Sequence, residues 1–228
     1  TKQYSNTHTV YYVKKADEHI LLTPPTEKEH TVSDAVIVSD TEVYLVTDYD
    51  ADFSYLASFN LETREFKKIK ELPQESFTNL TYDKKNKILY ITSEKGVQDY
   101  LYAFHPHNQA WVKLNPPCDI ISKKLVSNSG SLYLLGRSST KLVNLYKLTG
   151  EDEWVAITDN AIAGIQTEEI VEPEIVTYPS FDGLQIEALF YKAKPQHDKG
   201  ETVLWVHGGP QDAMRKGFPP FFQYLLDN

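Results

Sequence analysis

The run Ile88-Leu89-Tyr90-Ile91-Thr92, followed by Tyr100-Leu101-Tyr102-Ala103-Phe104 and then Ala110-Trp111-Val112-Lys113-Leu114, decides the fold. Three short segments rich in β-branched and aromatic residues, divided by polar stretches, read as three strands of a meander. The same order of segments occurs upstream, as Val43-Tyr44-Leu45-Val46-Thr47, Tyr55-Leu56-Ala57-Ser58-Phe59 and Glu65-Phe66-Lys67-Lys68-Ile69. It occurs again downstream, as Ser131-Leu132-Tyr133-Leu134-Leu135, Leu142-Val143-Asn144-Leu145-Tyr146 and Glu153-Trp154-Val155-Ala156-Ile157. Phe59, Phe104 and Tyr146 hold equivalent places, 45 and 42 residues apart. Each unit opens with a further candidate strand, as in residues 34–38 and 77–81. Four short strands in a unit of this length is the arithmetic of a β-propeller blade.

The connections 60–64 and 148–152 suit hairpin turns. Aromatic residues flank each such turn: Phe59 with Phe66, Phe104 with Trp111, and Tyr146 with Trp154. Each pair is expected to pack across its two strands and fix how they align. At the amino end, residues 8–12 and 18–22 resemble the last two strands of a unit, and Tyr12 precedes Phe59 by 47 residues. The expected architecture is therefore mostly β, a partial propeller of about three and a half blades across residues 1–167. A β-sandwich is the competing all-β arrangement.

After Asp159 the repeat stops, and the acidic stretch Glu168-Glu169-Ile170-Val171-Glu172-Pro173 reads as an exposed linker. A hairpin is predicted next, from Glu174-Ile175-Val176-Thr177-Tyr178 through Asp182-Gly183 to residues 184–191, because Asp-Gly between alternating apolar residues favours a tight turn. Beyond it, Val203-Leu204-Trp205-Val206 is an uninterrupted apolar run of the kind buried on both faces of a parallel sheet. It leads into His207-Gly208-Gly209-Pro210, where two glycines permit a sharp turn and a close approach of the backbone to a ligand. A helix is predicted from the pair Pro219-Pro220, with Phe221, Phe222 and Leu225 facing inward. Residues 168–228 thus read as an α/β unit, and they resemble the first strands and helix of an α/β-hydrolase domain.

Composition narrows the function. A net charge of −9 argues against a nucleic-acid partner, whose binding depends on neutralising phosphates with Lys and Arg. No apolar run is long enough to span a bilayer, and no signal peptide is apparent, so no membrane partner and a cytoplasmic setting are expected. The sequon Asn79-Leu80-Thr81 is then expected to stay unmodified. The single cysteine, Cys118, reads as a small packed hydrophobe. No cofactor or metal is expected. Asp48-Tyr49-Asp50-Ala51-Asp52 imitates a calcium loop but has Phe53 where glycine and Phe59 where glutamate are required. His105-Pro106-His107 supplies two imidazoles where zinc needs three or four ligands.

Blades followed by an Asp-Gly hairpin and a His-Gly-Gly-Pro loop resemble the prolyl oligopeptidase family of serine peptidases. The wording of residues 178–186, together with His207-Gly208-Gly209-Pro210-Gln211, looks most like its acylaminoacyl-peptidase branch. The close match covers about residues 173–228; upstream, the likeness is one of architecture. The resemblance implies a Ser-Asp-His triad in the α/β-hydrolase domain, and a propeller that limits access to short peptide substrates. It implies that Gly209 donates its backbone N–H to the oxyanion, that Gly208 allows the turn, and that His207 and Pro210 shape the loop. It also raises a role for Glu168, Glu169 and Glu172 in receiving a peptide amino terminus, against the plainer reading of a solvated charge cluster.

No Gly-x-Ser-x-Gly occurs; the nearest approach, Gly136-Arg137-Ser138-Ser139-Thr140, lies in a repeat strand and lacks the second glycine. Nucleophile, acid and base are therefore expected outside these 228 residues, which on that reading are an inactive fragment of a longer peptidase. Two alternatives stand beside it: a non-catalytic propeller binding module, and an esterase of the same hydrolase fold. Unpaired sheet edges also lead to an expectation of self-association into a homo-oligomer.

Overall fold

A computed structural model describes residues 1–165, 167–209 and 212–227. The chain forms two compact units. The first comprises Thr1–Lys95, Tyr100–Asn115 and Val126–Ser131; the second comprises Gly96–Asp99, Pro116–Leu125 and Leu132–Asn228.

The first unit opens with two short antiparallel pairs, β1 (Lys2–Ser5) with β2 (His8–Val10) and β3 (Tyr12–Lys15) with β4 (Glu18–Leu21). The predicted strand at 18–22 is present, whereas residues 8–12 divide between β2, which pairs with Lys2–Ser5, and the start of β3, which pairs with β4. Then comes a four-stranded meander of β5 (Val32–Ile37), β6 (Glu42–Thr47), β7 (Tyr55–Asn60) and β8 (Phe66–Lys70), in chain order. A second follows the same plan with β9 (Ser76–Asp83), β10 (Ile88–Lys95), β11 (Gln98–His105) and β12 (Ala110–Leu114).

The uninterrupted apolar run of β6 has a direct cause. Val43 and Leu45 enter one buried cluster with Ile20, Leu22, Tyr55 and Phe59. Their neighbours Tyr44 and Val46 enter another, with Leu56, Phe77, Leu89 and Phe104. Successive side chains of a strand point to opposite faces, so a strand covered on both sides needs apolar residues at every position. The first strands of the two meanders are tied by Asp34. Its Oδ2 accepts hydrogen bonds from the Leu80 backbone N–H at 2.8 Å and from Asn79 Nδ2 at 2.7 Å.

The aromatic pairs behave as expected in these two meanders. Phe59 lies opposite Phe66, and Phe104 lies opposite Trp111 with ring centroids 5.6 Å apart. Both turns close the same way: Arg64 N–H donates to Asn60 O and Gln109 N–H donates to His105 O, each at 2.9 Å, with Arg64 and Gln109 in the left-handed region.

The second unit carries the third meander, β13 (Ile120–Val126), β14 (Leu132–Arg137), β15 (Asn144–Leu148) and β16 (Trp154–Ala156). Here one expectation fails. Tyr146 lies opposite Ala156, and Trp154 lies opposite Leu148. The turn is built differently, with Thr149 N–H donating to Glu153 O, and one more residue separates Tyr146 from Trp154 than separates the earlier pairs. The register is therefore shifted by two residues from a direct Tyr146–Trp154 pairing, which leaves the two rings on one face but diagonal to each other. Asn144 then binds the chain that leaves β16: its Oδ1 accepts from Thr158 Oγ1 and Asn160 N–H, and its Nδ2 donates to Asn160 O.

The Asp-Gly hairpin is present as β17 (Glu174–Pro179) and β18 (Gln185–Phe190), with Ser180 N–H donating to Leu184 O and Gly183 at φ +87°. The helix α1 (Pro220–Asp227) begins at the second proline. Of the three residues expected to face inward, Phe222 does, packing against Tyr191 and Trp205, whereas Phe221 and Leu225 are exposed. Gln223 fixes this rotation by exchanging hydrogen bonds with the backbone of Val171 at 2.8 and 2.9 Å.

The predicted buried strand at residues 203–206 is not formed. Val203, Leu204, Trp205 and Val206 are 71%, 86%, 54% and 73% exposed and pair with no strand among the described residues. A parallel strand needs a strand on each side and a cover on each face. Among the described residues the run is met by the aromatic contacts of Trp205 with Phe221 and Phe222.

Candidate functional site

The glycine loop follows that apolar run. His207 Nδ1 lies 2.7 Å from the carbonyl oxygen of Gly208, so the ring carries its proton on that nitrogen and donates. A side chain at Gly208 would meet open space. Gly209 has φ +134°, a conformation that side chains rarely tolerate, and its backbone is exposed. Of the two glycines it is Gly209 whose conformation demands the residue type. Pro210 and Gln211 lie outside the described residues. His207, Gly208 and Gly209 are thus brought together on one exposed turn.

Six residues beyond Gly209 the chain is anchored, and nothing in the sequence pattern announces it. The Arg215 guanidinium pairs with Asp99, which is held in turn by accepting from the Ile121 N–H at 2.6 Å. Lys216 donates its backbone N–H to Val97 O at 2.7 Å and directs its ammonium to Glu172 Oε1 at 2.8 Å and Asp119 Oδ1 at 3.4 Å. Burial works against that charge, but the two carboxylates outweigh it and hold Lys216 above the ordinary lysine pKa. The partners lie far away in sequence, so no local motif could have revealed them. Glu172 thus takes part in anchoring the chain while its side chain stays largely exposed; Glu168 and Glu169 fall in a single 3-10 turn at Thr167–Glu169.

The near-elbow Gly136-Arg137-Ser138-Ser139-Thr140 is a strand end and hairpin turn. Ser138 Oγ accepts from the N–H groups of Thr140 and Lys141, and Ser139 is fully buried. Gly136 packs against the Cys118 side chain, and a Cβ there would stand 2.8 Å from the Cys118 Cβ. Burial, followed by the nearby Asp119 and Asp99, pushes the Cys118 thiol up to about 12, which makes it a poor nucleophile at neutral pH. In the loop that imitates a calcium site, Asp48 accepts from the Thr31 N–H and Asp50 pairs with Lys28 at 2.8 Å. His105 closes the β11–β12 turn through its carbonyl. Among the described residues no three His, Cys, Asp or Glu side chains gather as a metal site, and no helix is long and apolar enough to cross a membrane.

No family model matches the chain, and no curated protein matches it by sequence. Solved structures do. The chain is similar to a puromycin hydrolase, with a TM-score of 0.75 at 17% identity over 92% of this chain and 33% of that one. It is similar to a prolyl endopeptidase, with a TM-score of 0.74 at 16% identity over 97% of this chain and 33% of that one. It is also similar to oligopeptidase B from Trypanosoma brucei in its closed form with covalently bound antipain, with a TM-score of 0.70 at 11% identity, covering 92% and 32%. These are structures of the prolyl oligopeptidase family, and the meanders of this chain have the fold of their propeller region. At such identities the likeness establishes the fold, and the chain spans about a third of the length of the structures it matches.

Proposed function

We propose that this chain is part of a serine peptidase of the prolyl oligopeptidase family, in wording nearest its acylaminoacyl-peptidase branch. On this reading residues 1–167 form about three and a half propeller blades, and residues 168–228 open the α/β-hydrolase domain. The observation that carries the reading is the joining of sequential four-stranded meanders, through an Asp-Gly hairpin, to an exposed loop in which Gly209 holds a positive φ.

The reaction is acyl transfer. A serine outside these residues attacks the peptide carbonyl, the amine leaves with the proton that the histidine took from the serine, and water releases the acyl group. The N–H of Gly209 meets the negative charge that grows on the carbonyl oxygen. Such a donor is worth roughly 10²–10³ in rate, because its bond strengthens as charge develops. His207, Gly208 and Pro210 set the loop that aims it. Short peptides are the substrates, in the cytoplasm, and neither cofactor nor metal takes part.

Two assays test the proposal. The 228-residue chain releases no product from an acylaminoacyl anilide, while the longer protein does and is labelled by a fluorophosphonate at the serine of a Gly-x-Ser-x-Gly. A downstream reading frame without that motif ends the peptidase reading. In the longer enzyme, Gly208→Ala keeps kcat/KM within a few-fold, since its Cβ enters open space, whereas Gly209→Ala lowers it by about a hundredfold. Equal losses at both positions remove Gly209 from its role.

A further inference from the structure

We propose that a lysine-lined hollow in the first unit binds acidic peptide segments. The hollow is broadly open to solvent and has a volume of about 650 Å³, within the size range of ligand sites. Lys14 and Lys15 reach it from the β3–β4 hairpin, and Lys84 and Lys87 from the turn between β9 and β10. Asp40 is the single carboxylate among the lining residues. None of the four lysines makes an ion pair or side-chain hydrogen bond among the described residues.

That absence is not a shortage of partners. The chain has 32 acidic residues against 23 Lys and Arg, yet four cations converge on one concavity and none is neutralised. A cleft lined by one sign of charge concentrates the field and raises the local concentration of the opposite ion. The backbone beneath two of the lysines is held in place. Asp83 Oδ1 accepts from the N–H groups of Lys85 and Asn86 at 2.9 and 3.0 Å, which rigidifies the turn carrying Lys84 and Lys87.

The floor between the charges is apolar. Ile37, half exposed, and the buried Leu61 line it. Ammonium groups spread over separate turns, with apolar surface between them, match carboxylate side chains spaced along a peptide with apolar residues between. A single compact anion would use only part of such a site.

The test is fluorescence anisotropy with the 228-residue chain and a labelled ten-residue peptide alternating Glu and Leu. Binding is expected to weaken about three- to tenfold in a Lys84→Gln/Lys87→Gln variant, the size of two exposed charge contacts. It should weaken at least as much in Lys14→Glu/Lys15→Glu, and fall steeply between 50 and 300 mM salt, since exposed charges are screened. All four lysines are exposed, so the urea midpoints of the variants should match the parent and separate lost binding from lost folding. Equal affinity in the variants, equal affinity for a peptide with Gln in place of Glu, or tighter binding of an oligonucleotide of the same charge overturns the proposal. So does sedimentation showing a dimer that the lysine variants abolish, because the occupant would then be a second copy. Failure here leaves the peptidase reading intact, since Gly209 and its loop take no part in this assay.

Discussion

The Cys118 thiol lies on Gly136, and each constrains the other. A methyl group at residue 136 would collide with the Cys118 side chain and stand 3.1 Å from the Ile120 carbonyl oxygen. Gly136→Ala is expected to destabilise the chain by about 1–3 kcal/mol, the usual cost of overpacking, measured by urea unfolding. The thiol gives a second expectation. Its pKa rises from an ordinary value near 9 to about 12 on burial, so the native state keeps its proton where the unfolded chain has lost it. Its contribution to stability is full below pH 9 and declines as pH rises toward 12. Urea midpoints at pH 8 and pH 10.5 should therefore diverge less in Cys118→Ser than in the parent. Iodoacetamide at pH 8.5 should modify the native thiol far more slowly than the unfolded one. Cys118 could be read as a packed hydrophobe from its lack of partners in sequence, but that it dictates glycine 18 residues later could not.

At the scale of elements, the meanders were legible because hairpins are local. Turn residues, apolar alternation and flanking aromatics lie within a few positions of one another, and β6 to β8 and β10 to β12 fall where those signals place them. What was not legible depended on partners. Tyr146 and Trp154 looked equivalent to the earlier pairs, but the register of this hairpin sets Trp154 opposite Leu148. Val203–Val206 has the composition of a central strand, but composition cannot supply the neighbouring strands that would bury it. Phe221 and Leu225 had helical spacing for an inward face; the bonds between Gln223 and Val171 turned another face in. Asp34 tests how far one side chain joins consecutive meanders. Asp34→Ala leaves the Leu80 N–H without its acceptor and should cost about 1–3 kcal/mol, read from the urea midpoint; no change would mean that water replaces the carboxylate.

At the scale of the whole molecule, the candidate site is less legible than the fold. His207, Gly208 and Gly209 announce themselves by type and order, whereas Arg215 and Lys216, which anchor the chain just beyond them, find acceptors at Asp99, Val97, Asp119 and Glu172. Those ties are about 40 to 120 residues long in sequence, and only folding brings them together. The lysine hollow has the same character, for its four cations come from two turns about 70 residues apart. One consequence concerns how the first unit comes apart. Because β6 feeds Val43 and Leu45 to one cluster and Tyr44 and Val46 to the other, neither can melt without stripping a wall from its neighbour. Amide hydrogens on β6 and β7 should therefore exchange with one common free energy, as a party wall brings down both houses at once.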